Sequence, residues 1–97
     1  MERKSLVDTL ELVGRFLAID GIDELMMKFQ PGITMAKMNG IIMQIMSLGL
    51  NHDKKLMDEL VQQNAGISPE EVEQMTDKQY SKALKDAIMG DVLGFFA

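Results

Sequence analysis

The strongest candidate for catalytic chemistry in this sequence is the pair His52-Asp53, which includes the one histidine of the chain. A carboxylate beside an imidazole can orient it as a general base, but catalysis by such a pair also needs a nucleophile. No nucleophile lies near the pair in the sequence, and adjacent residues rarely reach the geometry of a catalytic triad. We therefore interpret His52-Asp53 as part of a polar, exposed turn between two helices.

A second group of chemically capable residues is the acidic cluster of Asp20, Asp23 and Glu24. Carboxylate oxygens are the ligands that calcium prefers, but this spacing lacks the alternating ligands and the closing bidentate Glu of a helix-loop-helix calcium site. Acidic residues are also common in the first turn of a helix, where the helix dipole favours negative charge. Asp23 and Glu24 fit that structural interpretation, and we expect no metal site.

The motifs that mark common enzyme classes are absent from the sequence. These are the phosphate-binding G-x-x-x-x-G-K-[ST] loop, the dinucleotide-binding G-x-G-x-x-G loop, the G-x-S-x-G nucleophile turn and the H-E-x-x-H zinc motif. The size and acidity would fit an acyl carrier protein, but its Asp-Ser-Leu motif is missing, because Ser5-Leu6 follows Lys4. We therefore predict that the protein is not an enzyme and binds no cofactor.

The net charge of −5 argues against strongly anionic partners. Binding to nucleic acid or to an anionic membrane requires a basic surface, and the longest basic clusters are the pairs Arg3-Lys4 and Lys54-Lys55. The longest uncharged run, residues 38–52, is too short to span a bilayer, and the N-terminal residues do not form a signal peptide. The chain has no cysteine and hence no disulfide. We expect an intracellular, soluble protein that binds neither nucleic acid nor membrane.

Apolar residues recur with helical spacing along most of the chain. Leu6, Leu10, Val13 and Leu17 predict a first amphipathic helix with Ser5 as its N-cap, and Val7 and Phe16 widen its apolar stripe. Further helices are predicted over residues 22–29, 35–48, 53–64, 69–75 and 77–95. No segment shows the alternation and β-branched enrichment of a strand. The sequence therefore predicts an all-α fold, a small bundle of about five or six helices, as a single domain over residues 1–97.

Capping residues mark several of the predicted helix ends. Thr34 and Ser68 are predicted N-caps, and Thr76 with Gln79 forms a predicted capping box. Gly49 is predicted to end the third helix, because glycine readily takes the left-handed conformation that follows a helix.

Methionine occurs ten times, and the third predicted helix is apolar around most of its circumference. Such a helix is either central to the core or in contact with a partner, and flexible Met side chains suit partners of varied shape. The apolar residues exceed what the predicted helices readily bury, so we expect a groove or patch for association. The expected protein-binding residues are Met35, Met38, Ile42, Met46, Phe95 and Phe96. An ordinary core with a homodimer interface is the alternative.

The layout of the chain resembles the small tail assembly chaperones of long-tailed bacteriophages. The likeness includes an acidic helical chain of this size and an early Leu-rich helix over residues 6–17. Most of it lies in residues 67–97, in the runs Ile67-Ser68-Pro69-Glu70-Glu71-Val72, Met75-Thr76-Asp77-Lys78-Gln79-Tyr80 and Ala87-Ile88-Met89-Gly90-Asp91-Val92-Leu93-Gly94-Phe95-Phe96.

This resemblance implies a non-enzymatic chaperone of the host cytoplasm whose partner is the tape measure protein. It would keep the apolar helices of that protein soluble until the tail tube assembles, and it would self-associate into a larger homo-oligomer. Two alternatives remain open from the residues themselves. One is a homo-oligomeric helical adaptor or regulatory protein–protein interaction module. The other is a small enzyme or metal protein that works through His52 and the cluster of Asp20, Asp23 and Glu24.

Overall fold

Six α-helices, a π-helical turn and a short 3-10 helix make up the described part of the chain. The structure, a computed structural model, describes the backbone of residues 3–96 and the side chains of residues 6–94. The elements in chain order are α1 (Arg3–Leu17), α2 (Ile22–Met26), α3 (Met35–His52), α4 (Lys54–Ala65), α5 (Pro69–Glu73), α6 (Asp77–Ala87), the π-helical turn (Ile88–Val92) and the 3-10 helix (Leu93–Phe96). Residues 3–96 contain no strand, so the predicted all-α bundle is confirmed.

Helix α4 lies at the centre of the bundle and contacts α1, α3, α5, α6 and the π-helical turn. Its buried residues are Leu56, Met57, Leu60 and Val61. The other elements surround them with Val13, Phe16, Ile22, Ile41, Ile45, Val72, Leu84, Ala87, Ile88 and Val92. Because α4 rather than α3 occupies the centre, a central position does not explain why α3 is apolar around most of its circumference.

Helix α1 faces the core with a side that includes only part of its apolar stripe. Thr9 and Phe16 are buried, whereas Leu6 and Leu10 are exposed. The hydroxyl of Thr9 accepts a hydrogen bond from Gln63 Nε2 of α4 at 3.1 Å, which offsets the cost of burying a polar group. The apolar stripe of α1 is therefore divided: Val13 and Phe16 are buried, whereas its first half is exposed, because packing against α4 selects a face that includes a threonine.

The predicted N-caps of α3, α5 and α6 are confirmed. The side-chain oxygens of Thr34, Ser68 and Thr76 each accept a hydrogen bond from the backbone N–H three residues later. Gln79 completes the capping box, because its Oε1 accepts a hydrogen bond from the Thr76 backbone N–H at 2.9 Å. The N-cap predicted for α1 is wrong, because the helix begins earlier and Ser5 lies inside it.

Two predicted helix ends differ from the structure. Gly49 lies buried inside α3, which continues to His52. Its lack of a side chain lets α4 come close, since a Cβ at this position would lie 2.6 Å from the sulfur of Met57. The last helix leaves α geometry after Ala87 and continues as the π-helical turn that contains Gly90. Glycine lowers the preference for α-helix, so this departure costs less there than at other residue types.

Candidate protein-binding surface

His52 and Asp53 have separate structural roles at the junction of α3 and α4. His52 is the exposed last residue of α3, and Asp53 is the N-cap of α4. Asp53 Oδ1 accepts a hydrogen bond from the Leu56 backbone N–H at 3.1 Å, and Asp53 Oδ2 lies 4.0 Å from Arg15 Nη2. The Asp53 carboxylate therefore caps the N-terminus of α4, which agrees with the interpretation of His52-Asp53 as part of a polar turn.

The acidic cluster also has a structural role. Asp23 and Glu24 lie in the first turn of α2, as predicted, and Asp23 Oδ1 accepts a hydrogen bond from the Glu24 backbone N–H at 2.9 Å. Across the described residues, no group of three or more His, Cys, Asp or Glu side chains is placed to hold a metal ion. Over the same part of the chain, no helix combines the length and hydrophobicity needed to cross a membrane.

Methionines are the most exposed large apolar side chains of the described residues. Met27, Met35 and Met43 are exposed by 79%, 70% and 69% respectively. Two of these three residues belong to α3, the helix whose apolar surface exceeds what its contact with α4 buries. Exposed apolar side chains that cluster on one element are typical of association surfaces.

A second exposed apolar surface lies on the first half of α1. We call Leu6, Val7 and Leu10 the α1 patch; all three side chains are at least 40% exposed. The spacing of these residues makes them neighbours on the helix surface. The exposed acids Asp8 and Glu11 lie beside the patch in the sequence, and the basic residues Arg3 and Lys4 precede it.

The exposed residues of α3 border a groove between α3 and α6, which we call the α3/α6 groove. It has a volume of about 420 Å³. Its lining residues are Asn39, Ile42, Met43, Met46, Ser81, Lys82 and Lys85. The four residues from α3 are spaced i, i+3, i+4 and i+7, which places them on one helix face. The groove therefore has an apolar α3 wall and an α6 wall that carries two lysines.

Two of the predicted protein-binding residues, Ile42 and Met46, line this groove. Met46 is half-buried. Met35 is 70% exposed and lies one helical turn before Asn39, thus on the same side of α3. Met38 is half-buried and does not line the groove. The structure thus brings Met35 and Met46 to one side of α3, although it leaves their role in binding a prediction.

Ile42, another of the predicted contacts, is enclosed in this conformation, and its contact with a partner stays a prediction. Ile42 has no exposed area, because it lies at the base of the groove, where the neighbouring side chains enclose it. In this conformation it shapes the groove from beneath. The side chains of Phe95 and Phe96, the last two predicted contacts, lie outside the described residues.

Sequence reasoning missed five of the lining residues, namely Asn39, Met43, Ser81, Lys82 and Lys85. Met43 extends the apolar surface of α3, and its exposure of 69% could have been found only by knowing which face of α3 meets α4. The two lysines lie about forty residues later in the chain. No local pattern indicates that α6 packs beside α3, so the charge on that wall was not predictable.

A partly buried hydrogen-bond network holds α6 against α4 and so supports one wall of the groove. The Tyr80 hydroxyl of α6 donates a hydrogen bond to Asp58 Oδ1 of α4. Lys54 Nζ lies 3.2 Å from Asp58 Oδ2 and 5.8 Å from the centroid of the Tyr80 ring, within the range of a cation–π contact. Burial raises the pKa of Tyr80 well above its ordinary value, and the hydrogen bond and negative charge of Asp58 raise it further.

This network predicts a pH dependence that can be measured at one residue, because Tyr80 is the one tyrosine of a chain without tryptophan. The folded pKa of Tyr80 lies above the unfolded value, so its stabilising contribution is complete below about pH 10 and is lost as the pH rises further. We expect the phenolate absorbance of the folded chain to appear at higher pH than that of the chain in urea. Asp58→Asn should move the folded titration toward the unfolded one. Coincident titrations of the folded and unfolded chains would contradict the network.

Comparisons with known protein families, with characterised proteins and with solved structures find no match to this chain. The functional interpretation therefore depends on the surfaces described above and on the resemblance noted in the sequence.

Proposed function

We propose that this chain is a non-enzymatic tail assembly chaperone of a long-tailed bacteriophage. It binds apolar helical segments of the tape measure protein in the host cytoplasm and keeps them soluble until the tail tube assembles. The observation that carries this proposal is the α3/α6 groove, where exposed Met43 and half-buried Met46 lie above the enclosed Ile42.

The dimensions of the α3/α6 groove support a helix as its occupant. From Asn39 to Met46 the α3 wall extends about 10 Å at a rise of 1.5 Å per residue, which matches two turns of a partner helix. Helices that bind in grooves insert apolar side chains spaced by three or four residues. A groove between two helices, with one apolar wall, supplies the complementary surface.

The chemistry of the groove supports a partner with many similar but unequal helices. The thioether side chains of Met43 and Met46 are unbranched and can adopt several shapes, so one groove can hold different apolar residues. Binding to segments that are not yet assembled lowers the concentration of aggregation-prone chain. The net charge of −5 favours the solubility of such a complex through mutual repulsion.

The proposal is tested by co-expressing a tape measure fragment with this chain and measuring how much of the fragment stays soluble. We expect the wild-type chain to keep it soluble and Met43→Glu to lose most of that effect, because a carboxylate in the groove opposes burial by an apolar helix. Met27→Glu is the matched control, since it places the same charge at an exposed methionine outside the groove. If the fragment is equally soluble without this chain, the proposal is wrong.

The α1 patch favours a second candidate, the homo-oligomeric adaptor. An adaptor of this kind needs an apolar surface for its own copies, and Leu6, Val7 and Leu10 supply one that shares no residue with the groove. The molecular mass across a range of concentrations distinguishes the two. A fixed oligomer that leaves no surface for a tape measure fragment supports the adaptor, whereas an assembly that still binds the fragment through Met43 supports the chaperone.

A further inference from the structure

The α3/α6 groove is charged on one wall only. Its α3 wall contains no charged residue, whereas its α6 wall carries Lys82 and Lys85. Lys78 precedes Lys82 by one helical turn and lies on the same side of α6. The ion pairs formed within the described residues involve Arg15 and Lys54 instead. Asp86 follows Lys82 by one helical turn on the same side, so this side of α6 carries three lysines and one carboxylate and has a positive local charge in a chain whose net charge is −5.

We propose, on the basis of the function proposed above, that the groove selects amphipathic helices that carry acidic residues along one side of their apolar stripe. A helix seated between α3 and α6 places its apolar side chains against Met43 and Met46. One of its flanks then lies beside Lys82 and Lys85. Covering a lysine without supplying an opposite charge costs free energy, so the acidic flank distinguishes the preferred segment.

The spacing of the two lysines sets the spacing expected in the partner. Lys82 and Lys85 are three residues apart, which corresponds to about 4.5 Å along α6. Acidic residues separated by three or four positions on the partner helix present carboxylates at a similar interval. A helix with basic residues at those positions brings like charges together, which opposes binding and slows association.

A second copy of this chain is a less suitable occupant than a helix of another protein. The one exposed apolar surface of α1, the α1 patch, runs from Leu6 to Leu10, little more than one turn. The rest of the apolar side of α1 is buried against the core through Val13 and Phe16. The α3 wall of the groove extends over about two turns, so an acidic-flanked helix with a longer free stripe fills it more completely.

The experiment compares two labelled synthetic helical peptides that share one Leu/Met stripe and differ only in carrying Glu or Lys along one flank. Binding to the full chain is followed by fluorescence anisotropy. We expect the Glu peptide to bind about tenfold more tightly at low salt. This advantage should shrink as the salt concentration rises, because salt screens exposed charges.

Charge-reversal variants test whether the lysines of the α6 wall cause the preference for the Glu peptide. Lys82→Glu/Lys85→Glu is expected to reverse the preference, and Lys82→Gln/Lys85→Gln to abolish it. Lys28→Glu/Lys37→Glu is the matched control, because it changes the net charge equally at two lysines that border a different pocket beside the α2–α3 loop. That control should keep the preference for the Glu peptide.

Each contrary outcome has a separate meaning. Equal binding of the two peptides overturns the inferred charge selectivity but leaves the groove as a helix-binding site. Binding of neither peptide overturns the proposed function as well. If the chain alone self-associates and Lys82→Glu/Lys85→Glu breaks up that assembly, the groove is an interface between copies, and the inferred partner is wrong.

Discussion

Met57→Ala is expected to lower the free energy of unfolding by about 2–5 kcal/mol, the usual cost of truncating a fully buried methionine. Met57 has no exposed area and lies on α4, the helix that all the larger elements contact. Its removal leaves a cavity at the centre of the bundle, and a domain of this size has a total stability of only about 5–15 kcal/mol. Urea unfolding followed by circular dichroism measures the change.

The matched variant is Met43→Ala, which makes the same chemical change at a side chain that is 69% exposed. It should change the stability by less than about 0.5 kcal/mol, as surface substitutions usually do, while weakening the binding of a helical partner. Together the two variants separate the methionines of the core from those of the groove. A loss of stability for Met43→Ala as large as that for Met57→Ala would show that Met43 is packed, and the groove would then be closed.

Gly49→Ala is the second large effect, a net loss of up to about 2 kcal/mol in unfolding free energy. Alanine favours a helix over glycine by about 1 kcal/mol, but overpacking a core costs about 1–3 kcal/mol. The added Cβ would lie 2.6 Å from Met57 Sδ. Since Met57 is fully enclosed, its side chain has no free space into which it can move. Thermal or urea unfolding measures the difference.

Gly40→Ala is the control within the same helix. No atom lies within 4 Å of a Cβ added at Gly40, so the substitution should stabilise the chain by about 0.5–1 kcal/mol through helix propensity alone. The two variants are thus expected to change stability in opposite directions. If Gly49→Ala is also stabilising, α3 and α4 do not approach each other as closely as the structure shows.

The orientation of α1 could not be predicted from local sequence reasoning. The apolar stripe of α1 includes Leu6 and Leu10 as well as Phe16, yet both leucines are exposed, whereas Phe16 and the polar Thr9 are buried. Thr9 can be buried because Gln63 of α4 donates a hydrogen bond to its hydroxyl. A partner 54 residues away in the chain is invisible to local periodicity, so the pattern predicted the helix but not its orientation.

The candidate site was predictable only in part, for the same reason. The apolar excess of α3 indicated an association surface, and Met46 and Met35 lie on its exposed side. Ile42 lies on the same face of α3 as Met43 and Met46, but on the side of that face nearer the protein interior. It is therefore enclosed at the base of the groove. The groove exists only where α6 packs beside α3, so the position of Lys85 on its rim depends on tertiary contacts.

Local interactions within a few residues were sufficient to predict the all-α class and the starts of α3, α5 and α6. Helical spacing and capping hydrogen bonds, such as that between Thr76 and Gln79, need no distant partner. Packing between helices that are distant in the sequence determined which methionines are buried and which are exposed. Met57 and Met43 have the same side chain, but α4 is surrounded and this side of α3 is open, so the first stabilises the core and the second is free to meet a partner.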